Sequence, residues 1–427
     1  MKVKQLKIKA FRGIQDLTLE FDQNQPTVLI GINGAGKSSI LDCLSILLAH
    51  LSVPIIKFIE SNKASLPGFD IFPRFDEQDI NNQEQGLQID LELLLDSQLL
   101  PVTLMLERGF IDSDSREIKE GFYELILNKM RTRPEANIPF FIYYKTNRAV
   151  VDISLESPKV RPLFFPQLAA YDGAMTGGKV VFANFFTWFR TQEDLENEVR
   201  LNDNPAHRDR KLEAVRMAIT SLMPDFSDLR VKRSPLRMTV IKQGQELIIN
   251  QLSDGEKCLL AMVGDLARRL AIANPGLDNP LEGEGVVLID EIELHLHPKW
   301  QRAIVPALTR TFPNCQFIVT THSPQVLSEV QPNSIYILES TDRGIIAKRP
   351  TSSFGRDSNQ ILEDLMDVPE RPENVKEQIL EIFRLIDAGD LEGAKRLRQQ
   401  IAGEIGADEP ELVKASTSIR RREILNK

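Results

Sequence analysis

The chain opens with alternating apolar and polar residues. Residues 3–10 and 17–21 alternate with period two, which predicts a β-hairpin. A continuous apolar run at residues 27–30 then ends at Gly31, and residues 38–48 follow the period of a helix. A strand, a glycine-rich loop and a helix in this order are what a phosphate-binding loop requires.

Further along, strand-like and helix-like patterns mix. The pattern between about residues 161 and 225 is mainly helical, and the apolar stretch 44–56 predicts a buried helix. Runs rich in apolar residues predict strands at 88–95, 102–107, 122–127, 140–144, 238–241 and 246–249. The mixture indicates an α/β fold with an antiparallel β subdomain.

The clearest strand predictions lie in the second half of the chain. Residues 286–289 and 317–320 are continuous apolar runs, as expected for central parallel strands buried on both faces. Helices are predicted at 255–273 and 298–310, and two short amphipathic helices at 374–388 and 391–402. The carboxyl-terminal residues are therefore predicted to form a helical region.

Composition narrows the class of protein. Hydrophobic residues make up 42% of the 427 residues, enough for a full core, and the net charge of -9 repels nucleic acid except at a local basic face. Cys43, Cys258 and Cys315 share no CxxC spacing, which argues against a disulfide framework and fits a reducing cytosol. No signal peptide and no apolar span of ~20 residues is recognisable, so we expect a cytoplasmic protein without a membrane partner.

The strongest chemical motif follows the strand predicted at 27–30. Residues 31–38 have the sequence GINGAGKS and match the phosphate-loop pattern GxxxxGK[ST]. Glycines let the backbone wrap around phosphates, Lys37 is expected to reach the β- and γ-phosphates of ATP, and the Ser38 hydroxyl is expected to bind Mg²⁺. The residues predicted to contact nucleotide here are Gly31, Asn33, Gly34, Ala35, Gly36, Lys37, Ser38 and Ser39.

Two adjacent carboxylates end the strand predicted at 286–289. Asp290 and Glu291 stand at the carboxyl end of a buried strand, where open α/β sheets place their ligands. Asp290 is predicted to hold Mg²⁺, directly or through water, and Glu291 to polarise the attacking water as general base. The alternative is a buried strand followed by two surface acids, and the upstream phosphate loop argues against it.

Two further segments are ambiguous by themselves. Residues 252–257, LSDGEK, open a predicted helix, but serine and glycine at a helix start are also what an ordinary N-cap needs. His322 follows the strand at 317–320, and a lone histidine at a strand end is usually structural. His295 and His297 have no third ligand nearby in sequence, which argues against a zinc site.

In this order, the four segments resemble the ABC ATPase superfamily, in the branch shared by SMC, RecF and OLD-type proteins, over about residues 1–340. The resemblance implies a P-loop fold with a mixed core sheet, an antiparallel β subdomain, a helical insertion and a small helical appendage. We expect the first ATPase lobe with the β subdomain at 1–160, the insertion at 161–237, the second lobe at 238–345 and the appendage at 346–427.

The resemblance makes residues 252–257 the signature sequence, which is LSGGQ in the family. Asp254 and Glu256 are departures from it. In the family, the signature of one copy faces the phosphate loop of another, so Ser253 and Gly255 would complete a site whose Lys37 belongs to a second copy. A homodimer or a larger homo-oligomer is therefore implied, with ATP and Mg²⁺ as cofactors.

Other roles are implied for single residues. His322 would be the switch histidine that contacts the γ-phosphate and the attacking water, and residues 293–298 fill the place of the D-loop. Arg12, in Phe11-Arg12-Gly13, would contact nucleotide, and Asn33 would approach the γ-phosphate. For the glutamine loop the candidate is Gln78, with a plain surface position as the alternative.

A narrower resemblance comes from segments outside these motifs. They are similar to the PtuA family, the ATPase subunits of Septu-type bacterial antiphage systems, and similar ATPases accompany some retrons. The segments are 140–148 (FFIYYKTNR), 188–190, 291–301, 353–359 (SFGRDSN) and 386–425. The resemblance implies an HNH-type nuclease as partner. The chain itself shows no nuclease constellation, and the residues after 340 are too few for a Toprim domain, since domains typically have ~100–200 residues.

Other functions stay open on sequence alone. A DNA-repair or DNA-tethering ATPase of RecF or SMC type would act without a nuclease, although no coiled-coil arm is predicted; a transporter subunit is a third possibility. The carboxyl-terminal helices could carry the nuclease or pack on the ATPase. Basic residues that could contact DNA or RNA, or simply be solvated, are Arg230, Lys232, Arg233, Arg237, Arg420, Arg421 and Arg422.

Overall fold

A computed structural model of the chain describes residues 1–62, 74–109, 116–133, 135–148, 166–175, 182–342 and 344–425. The strands are β1 (Lys2–Phe11), β2 (Ile14–Glu20), β3 (Thr27–Ile30), β4 (Gly86–Leu95), β5 (Gln98–Glu107), β6 (Phe140–Tyr144), β7 (Phe226–Arg233), β8 (Leu236–Lys242), β9 (Gln245–Ile248), β10 (Gly285–Ile289), β11 (Cys315–Thr320), β12 (Ile335–Thr341) and β13 (Gly344–Lys348). The helices are α1 (Lys37–Asn62), α2 (Arg116–Thr132), α3 (Phe182–Asn202), α4 (Arg210–Leu222), α5 (Asp254–Ala273), α6 (Pro298–Thr311), α7 (Pro324–Leu327), α8 (Ser358–Met366), α9 (Glu373–Ala388), α10 (Leu391–Ile405) and α11 (Pro410–Leu425).

The central sheet has the strand order β13–β12–β3–β11–β10–β6. All of its neighbouring pairs are parallel except β12 and β13. Every residue of β3, β10 and β11 is buried, which explains their uninterrupted apolar runs. β11 lies between β3 and β10, and Val319 is in register with both Val28 and Ile289. Because parallel strands end at one edge of a sheet, the residues that follow these strands are neighbours there.

A second sheet is antiparallel, with the order β2–β1–β4–β5. It contains the predicted amino-terminal hairpin, and the strands predicted at 88–95 and 102–107 are its β4 and β5. Asp96 and Ser97, which join β4 to β5, both have positive φ, as the favoured two-residue hairpin turns require. The antiparallel β subdomain is therefore confirmed, and β7–β8–β9 form a further small sheet.

The strand predicted at residues 122–127 is wrong, because these residues lie within α2. Phe122, Ile126 and Met130 are buried at a spacing of one helical turn, which gives the helix its apolar face. The segment FYELIL is rich in aromatic and aliphatic residues, so its composition satisfies a strand pattern as well as a helical one. The choice between them is made by packing against the rest of the protein.

Several elements have no counterpart in the sequence-based prediction. These are β7, β12, β13, α7, α8 and α11. β7 and β13 are edge strands of their sheets, and each mixes buried, half-buried and exposed residues. A strand of this kind lacks the continuous apolar run that identifies a central strand, so its sequence signal is weak.

The chain divides into two compact units, Met1–Arg356 and Asp357–Lys427. The second unit contains α8 to α11 and has a hydrophobic cluster of its own. The buried members of this cluster are Ile379, Ile382, Ile386, Ala394, Ile401, Leu412, Ala415 and Ile419. Across the part of the chain that the structure describes, no helix combines the length and apolar character needed to cross a lipid bilayer.

Candidate active site

The loop between β3 and α1 is shaped by glycines. Gly31, Gly34 and Gly36 have φ values of 148°, 84° and 90°, in a region that residues with a side chain rarely adopt. Gly31 also lies so close to β12 that an added Cβ would stand 2.4 Å from the carbonyl oxygen of Leu338. Glycine at position 31 is therefore required both by the turn and by packing against the neighbouring strand.

The first turn of α1 contains no acidic residue. The positive end of the helix dipole therefore faces the glycine loop without a compensating carboxylate from its own turn. Asn33 and Ser38 are exposed, Ser39 is half-buried and Ala35 is buried. Exposed backbone N–H groups at such a helix start suit the binding of an anion such as a phosphate.

Lys37 folds back over this loop. Its Nζ donates hydrogen bonds to the carbonyl oxygens of Gly31 and Ile32, at 2.8 and 3.0 Å. Burial lowers the pKa of Lys37, and the nearby carboxylates, Asp290 first among them, oppose that shift. The ammonium group is thus held between the loop and the acids that follow β10.

A hydrogen-bonded chain joins the phosphate loop to the end of β10. The Ser38 hydroxyl donates to Asp290 Oδ1 at 3.2 Å, although the two residues are far apart in sequence. The same oxygen accepts a hydrogen bond of 2.6 Å from the hydroxyl of Thr320, at the end of β11. Hydroxyl and carboxylate oxygens are the ligands that Mg²⁺ prefers, so this donor set fits the cation.

Glu291 has an unusual backbone conformation. Its φ is +47°, and for a residue with a side chain the left-handed region costs roughly 1–2 kcal/mol. Its N–H donates to Thr320 Oγ1 at 2.7 Å, and its carbonyl accepts from the guanidinium of Arg148. Backbone strain of this kind persists where the surrounding structure holds it in place.

Glu293 connects the D-loop segment to the end of β11. Its carboxylate accepts a 2.7 Å hydrogen bond from the Thr321 hydroxyl and a 2.5 Å hydrogen bond from the backbone N–H of His322. These contacts fix the backbone at Thr321 and at the N–H of His322. His322 therefore lies at the same edge of the sheet as Asp290 and Glu291.

The start of α5 is closed by its own side chains. Ser253 is the N-cap, and Glu256 Oε2 accepts hydrogen bonds of 2.9 Å from both the N–H and the hydroxyl of Ser253. The carboxylate of Glu256 also pairs with Lys242. Burial alone would raise the pKa of Glu256, but the hydrogen bonds from Lys242 and Ser253 outweigh it and lower that pKa. This arrangement is a capping box reinforced by a cation.

Gly255 lies against the D-loop segment. A Cβ added at this position would stand 2.2 Å from the backbone oxygen of His295, which itself has a φ of +63°. The glycine therefore allows α5 and the segment after β10 to approach closely. His297 has a separate structural contact, because its Nδ1 accepts a hydrogen bond from the N–H of Lys299 at the start of α6.

Arg12 is held between two carboxylates. Its Nε donates to Asp79 and its Nη1 to Asp42, both at 2.8 Å. Burial opposes protonation, but these hydrogen bonds and charges raise the pKa of Arg12. Gln78, exposed beside them, and Lys145 line the same cavity of about 400 Å³.

Comparison with known proteins places this geometry in a family. Residues 27–328 match the family described as "AAA domain, putative AbiEii toxin, Type IV TA system", and residues 1–52 match a second AAA-domain family. The chain belongs to this AAA-domain family. The P-loop ATPase fold expected from the motifs is thereby confirmed.

Two of three similar curated proteins are named as ATPases, and the third is a Septu protein. The "Retron Ec83 probable ATPase" of Escherichia coli is 29% identical, with 99% of this chain and 87% of that protein covered. The "Retron Vc95 probable ATPase" of Vibrio cholerae is 30% identical, with 90% and 82% covered. "Septu protein PtuA" of Bacillus thuringiensis is 23% identical, with 86% and 85% covered. The chain is therefore an ATPase that binds nucleotide.

The structure brings together many of the predicted site residues and adds others. Lys37, Ser38, Asp290, Glu291 and His322 lie around one edge of the sheet, whereas Ser253 is bonded within its own helical turn. The additional residues are Thr320, Arg148 and Glu293, which bind the motif residues. Thr320 and Glu293 stand next to recognised motifs. Arg148 acts on backbone carbonyls, which leave no pattern in a sequence.

Proposed function

We propose that this ATPase binds Mg·ATP between the phosphate loop and the acids that follow β10, and hydrolyses it when two copies close face to face. The hydrogen bond from Ser38 to Asp290 carries the proposal, because it joins two motifs that are remote in sequence. The hydroxyl and the carboxylate are the two ligands expected for the cation in a P-loop enzyme.

Each residue then has a distinct role. Lys37 leaves the loop carbonyls to bind the β- and γ-phosphates, and the N–H groups of Gly34, Gly36 and their neighbours surround the phosphate oxygens. Glu291 accepts a proton from the attacking water as general base, and His322 orients the γ-phosphate and that water. Bound Mg²⁺ supplies neutralisation of charge on the phosphate oxygens.

The second copy would contribute its signature. Ser253 is exposed, and within the described residues no hydrogen bond joins it to the phosphate loop of its own chain. We infer that Ser253 and Gly255 meet the γ-phosphate bound to Lys37 of the second copy. Arg12 contacts nucleotide only after one of its carboxylate partners releases it.

We further propose that nucleotide state controls an HNH-type nuclease in a retron- or Septu-type antiphage complex. The relatives that carry retron and Septu names support this reading. The ion pairs made by the basic residues of β7 argue against a DNA-binding role of the RecF or SMC type. Arg230 pairs with Asp228, Lys232 with Glu246, and Arg233 with Glu193 and Asp194. Little positive charge is left there for phosphate contacts.

The catalytic assignment is tested by Glu291→Gln. We expect nucleotide affinity to stay within about two-fold and kcat to fall by about 100-fold or more, as is typical for loss of a general base. The matched control is Glu339→Gln on β12, where the half-buried Glu339 pairs with Lys348. Unchanged hydrolysis in Glu291→Gln would remove Glu291 from this role.

The assembly is tested by two further experiments. Ser253→Arg should leave nucleotide binding by the single chain intact and prevent ATP-dependent dimerisation, measured by light scattering. Co-expression with the product of the neighbouring gene should yield a complex that co-purifies, and that product should contain an HNH-type nuclease motif. Failure of that complex to form would contradict the nuclease part of the proposal and leave the ATPase chemistry in place.

A further inference from the structure

The guanidinium of Arg148 is buried beneath the two acids that follow β10. The residue is only 3% exposed. Its Nη1 donates to the carbonyl oxygen of Asp290 at 2.5 Å, and its Nη2 donates to the carbonyl oxygen of Glu291. A planar fork of donors suits two successive carbonyls, which a lysine ammonium could not hold in the same fixed geometry.

Arg148 binds the oxygen atoms of the two peptide groups on either side of the Glu291 α-carbon, and Thr320 binds their nitrogen atoms. Its hydroxyl accepts the N–H of Glu291 at 2.7 Å, and its carbonyl accepts the N–H of Ile292 at 3.0 Å. The peptide before Glu291 and the peptide after it are therefore each bound at both ends, by Arg148 on the oxygen and by Thr320 on the nitrogen. The backbone torsions of Glu291, including its positive φ, are fixed by this arrangement.

The support for Arg148 comes from the central sheet itself. Arg148 follows β6, and β6 pairs with β10 along its whole length, from Phe140 opposite Gly285 to Tyr144 opposite Ile289. The N–H of Asp290 continues this ladder by donating to the carbonyl of Tyr144 at 2.9 Å. Arg148 thus lies in the short segment after β6, the strand beside β10. Its guanidinium binds the carbonyl oxygens of the two residues that follow β10, and this support from the sheet favours accurate positioning.

We propose that Arg148 is a positioning residue for hydrolysis: it sets the direction of the Glu291 carboxylate by holding the two carbonyls that flank the Glu291 α-carbon. The inference rests on the proposed role of Glu291 as general base. Arg148 does not touch the reacting atoms in this account. Its contribution reaches the γ-phosphate only through the orientation of Glu291.

The test compares Arg148→Met and Arg148→Lys with the wild-type protein, each as the full chain. We expect Arg148→Met to lower kcat by 10- to 100-fold with the nucleotide dissociation constant unchanged within about two-fold, and Arg148→Lys to recover part of the loss. The matched control is Arg269→Lys, because Arg269 is also buried and donates to backbone carbonyls, those of Ala170 and Asp172. This control should lower thermal stability and leave kcat of the folded protein unchanged.

A double substitution separates positioning from general structural support. If Arg148 acts through Glu291, Arg148→Met in a Glu291→Gln background should lower kcat by less than three-fold further. A full multiplicative loss in the double variant, or wild-type kcat in Arg148→Met while Glu291→Gln is slow, would overturn the positioning role alone. Wild-type kcat in Glu291→Gln would instead remove the base and the positioning role together. If Arg148→Met fails to fold, Arg148→Lys carries the same comparison.

Discussion

Helices α1 and α5 both begin at a motif expected to bind phosphate, yet their first turns differ. α1 follows a glycine loop and has no acid in its first turn. α5 begins with the Ser253–Glu256 capping box and has both Asp254 and Glu256 in its first turn. The start of α1 can accept an anion. At the start of α5 the Glu256 carboxylate already binds the N–H and hydroxyl of Ser253.

The difference in capping suggests different roles in nucleotide binding for the starts of α1 and α5. The N–H groups at an uncapped helix start suit a phosphate, whereas at α5 the N–H of Glu256 already donates to the Ser253 hydroxyl. We therefore expect a single chain to bind nucleotide at the start of α1 without a contribution from α5. The signature start on α5 joins the site only if the contact between Ser253 and Glu256 is exchanged for one with a bound phosphate.

Removing the lysine of the open helix start should have the largest effect. Lys37→Ala is expected to weaken ATP binding by at least about 100-fold, because charge-assisted hydrogen bonds to phosphate are worth about 1.5–3 kcal/mol each. Titration calorimetry measures the affinity. The control is Lys257→Ala in the first turn of α5, where Lys257 pairs with Asp254. Equal losses in both variants would erase the distinction between the two helix starts.

The close approach of α5 to the D-loop segment is tested by Gly255→Ala. The added Cβ would meet the backbone oxygen of His295, and overpacking of this kind costs about 1–3 kcal/mol. Urea denaturation should show the loss. Gly121→Ala is the control, because no atom lies within 4 Å of its Cβ position in α2 and alanine favours a helix. Unchanged stability in Gly255→Ala would contradict the packing of α5 described above.

Removing the negative charge of Glu256 at the start of α5 should lower the free energy of unfolding by a smaller amount. Glu256→Gln is expected to lower the free energy of unfolding by about 1 kcal/mol at pH 7, because glutamine can still accept from Ser253 but lacks the charge that strengthens these hydrogen bonds and the pair with Lys242. Because the folded pKa of Glu256 is depressed, its charge stabilises the fold above the unfolded pKa of about 4.3 and loses that effect as the pH falls through the folded value. The gap between variant and wild type should therefore close in urea titrations below about pH 4. A gap independent of pH would exclude the carboxylate as its source.

The smallest effect is expected at Asp254. Its ion pair with Lys257 is exposed on the Asp254 side, whose side chain is 84% accessible, and such pairs contribute little. Asp254→Asn should change the free energy of unfolding by less than about 0.5 kcal/mol, within the scatter of denaturant titrations. A loss as large as that of Glu256→Gln would mean that helix-dipole charge, rather than the capping box, closes this helix start.

The parts of the fold that sequence predicts well are those with one consistent physical signal. β10 and β11 are buried throughout, and residues 286–289 and 317–319 within them are apolar without interruption. The segment 122–127 fails because its residues suit two periods, and the packing of Phe122 and Ile126 decides between them. Such a decision depends on contacts that are distant in sequence.

The contacts of the candidate site also fall into two groups, those that the sequence predicts and those that it does not. The meeting of Ser38 with Asp290 follows from two motifs and the rule that strand ends share an edge. At residues 252–257 the sequence allows either the signature motif or an ordinary N-cap at Ser253. The full capping box also requires the contact with Glu256 in the same turn. The contacts of Arg148 and the two carboxylates around Arg12 could not be predicted, because they depend on how separate strands are placed in space.

The hydrophobic cluster of the carboxyl-terminal unit is drawn from α9, α10 and α11 alone. A segment with a hydrophobic interior of its own meets the main requirement for folding independently of the rest of the chain. Residues 357–427, expressed by themselves, should therefore give a cooperative urea transition.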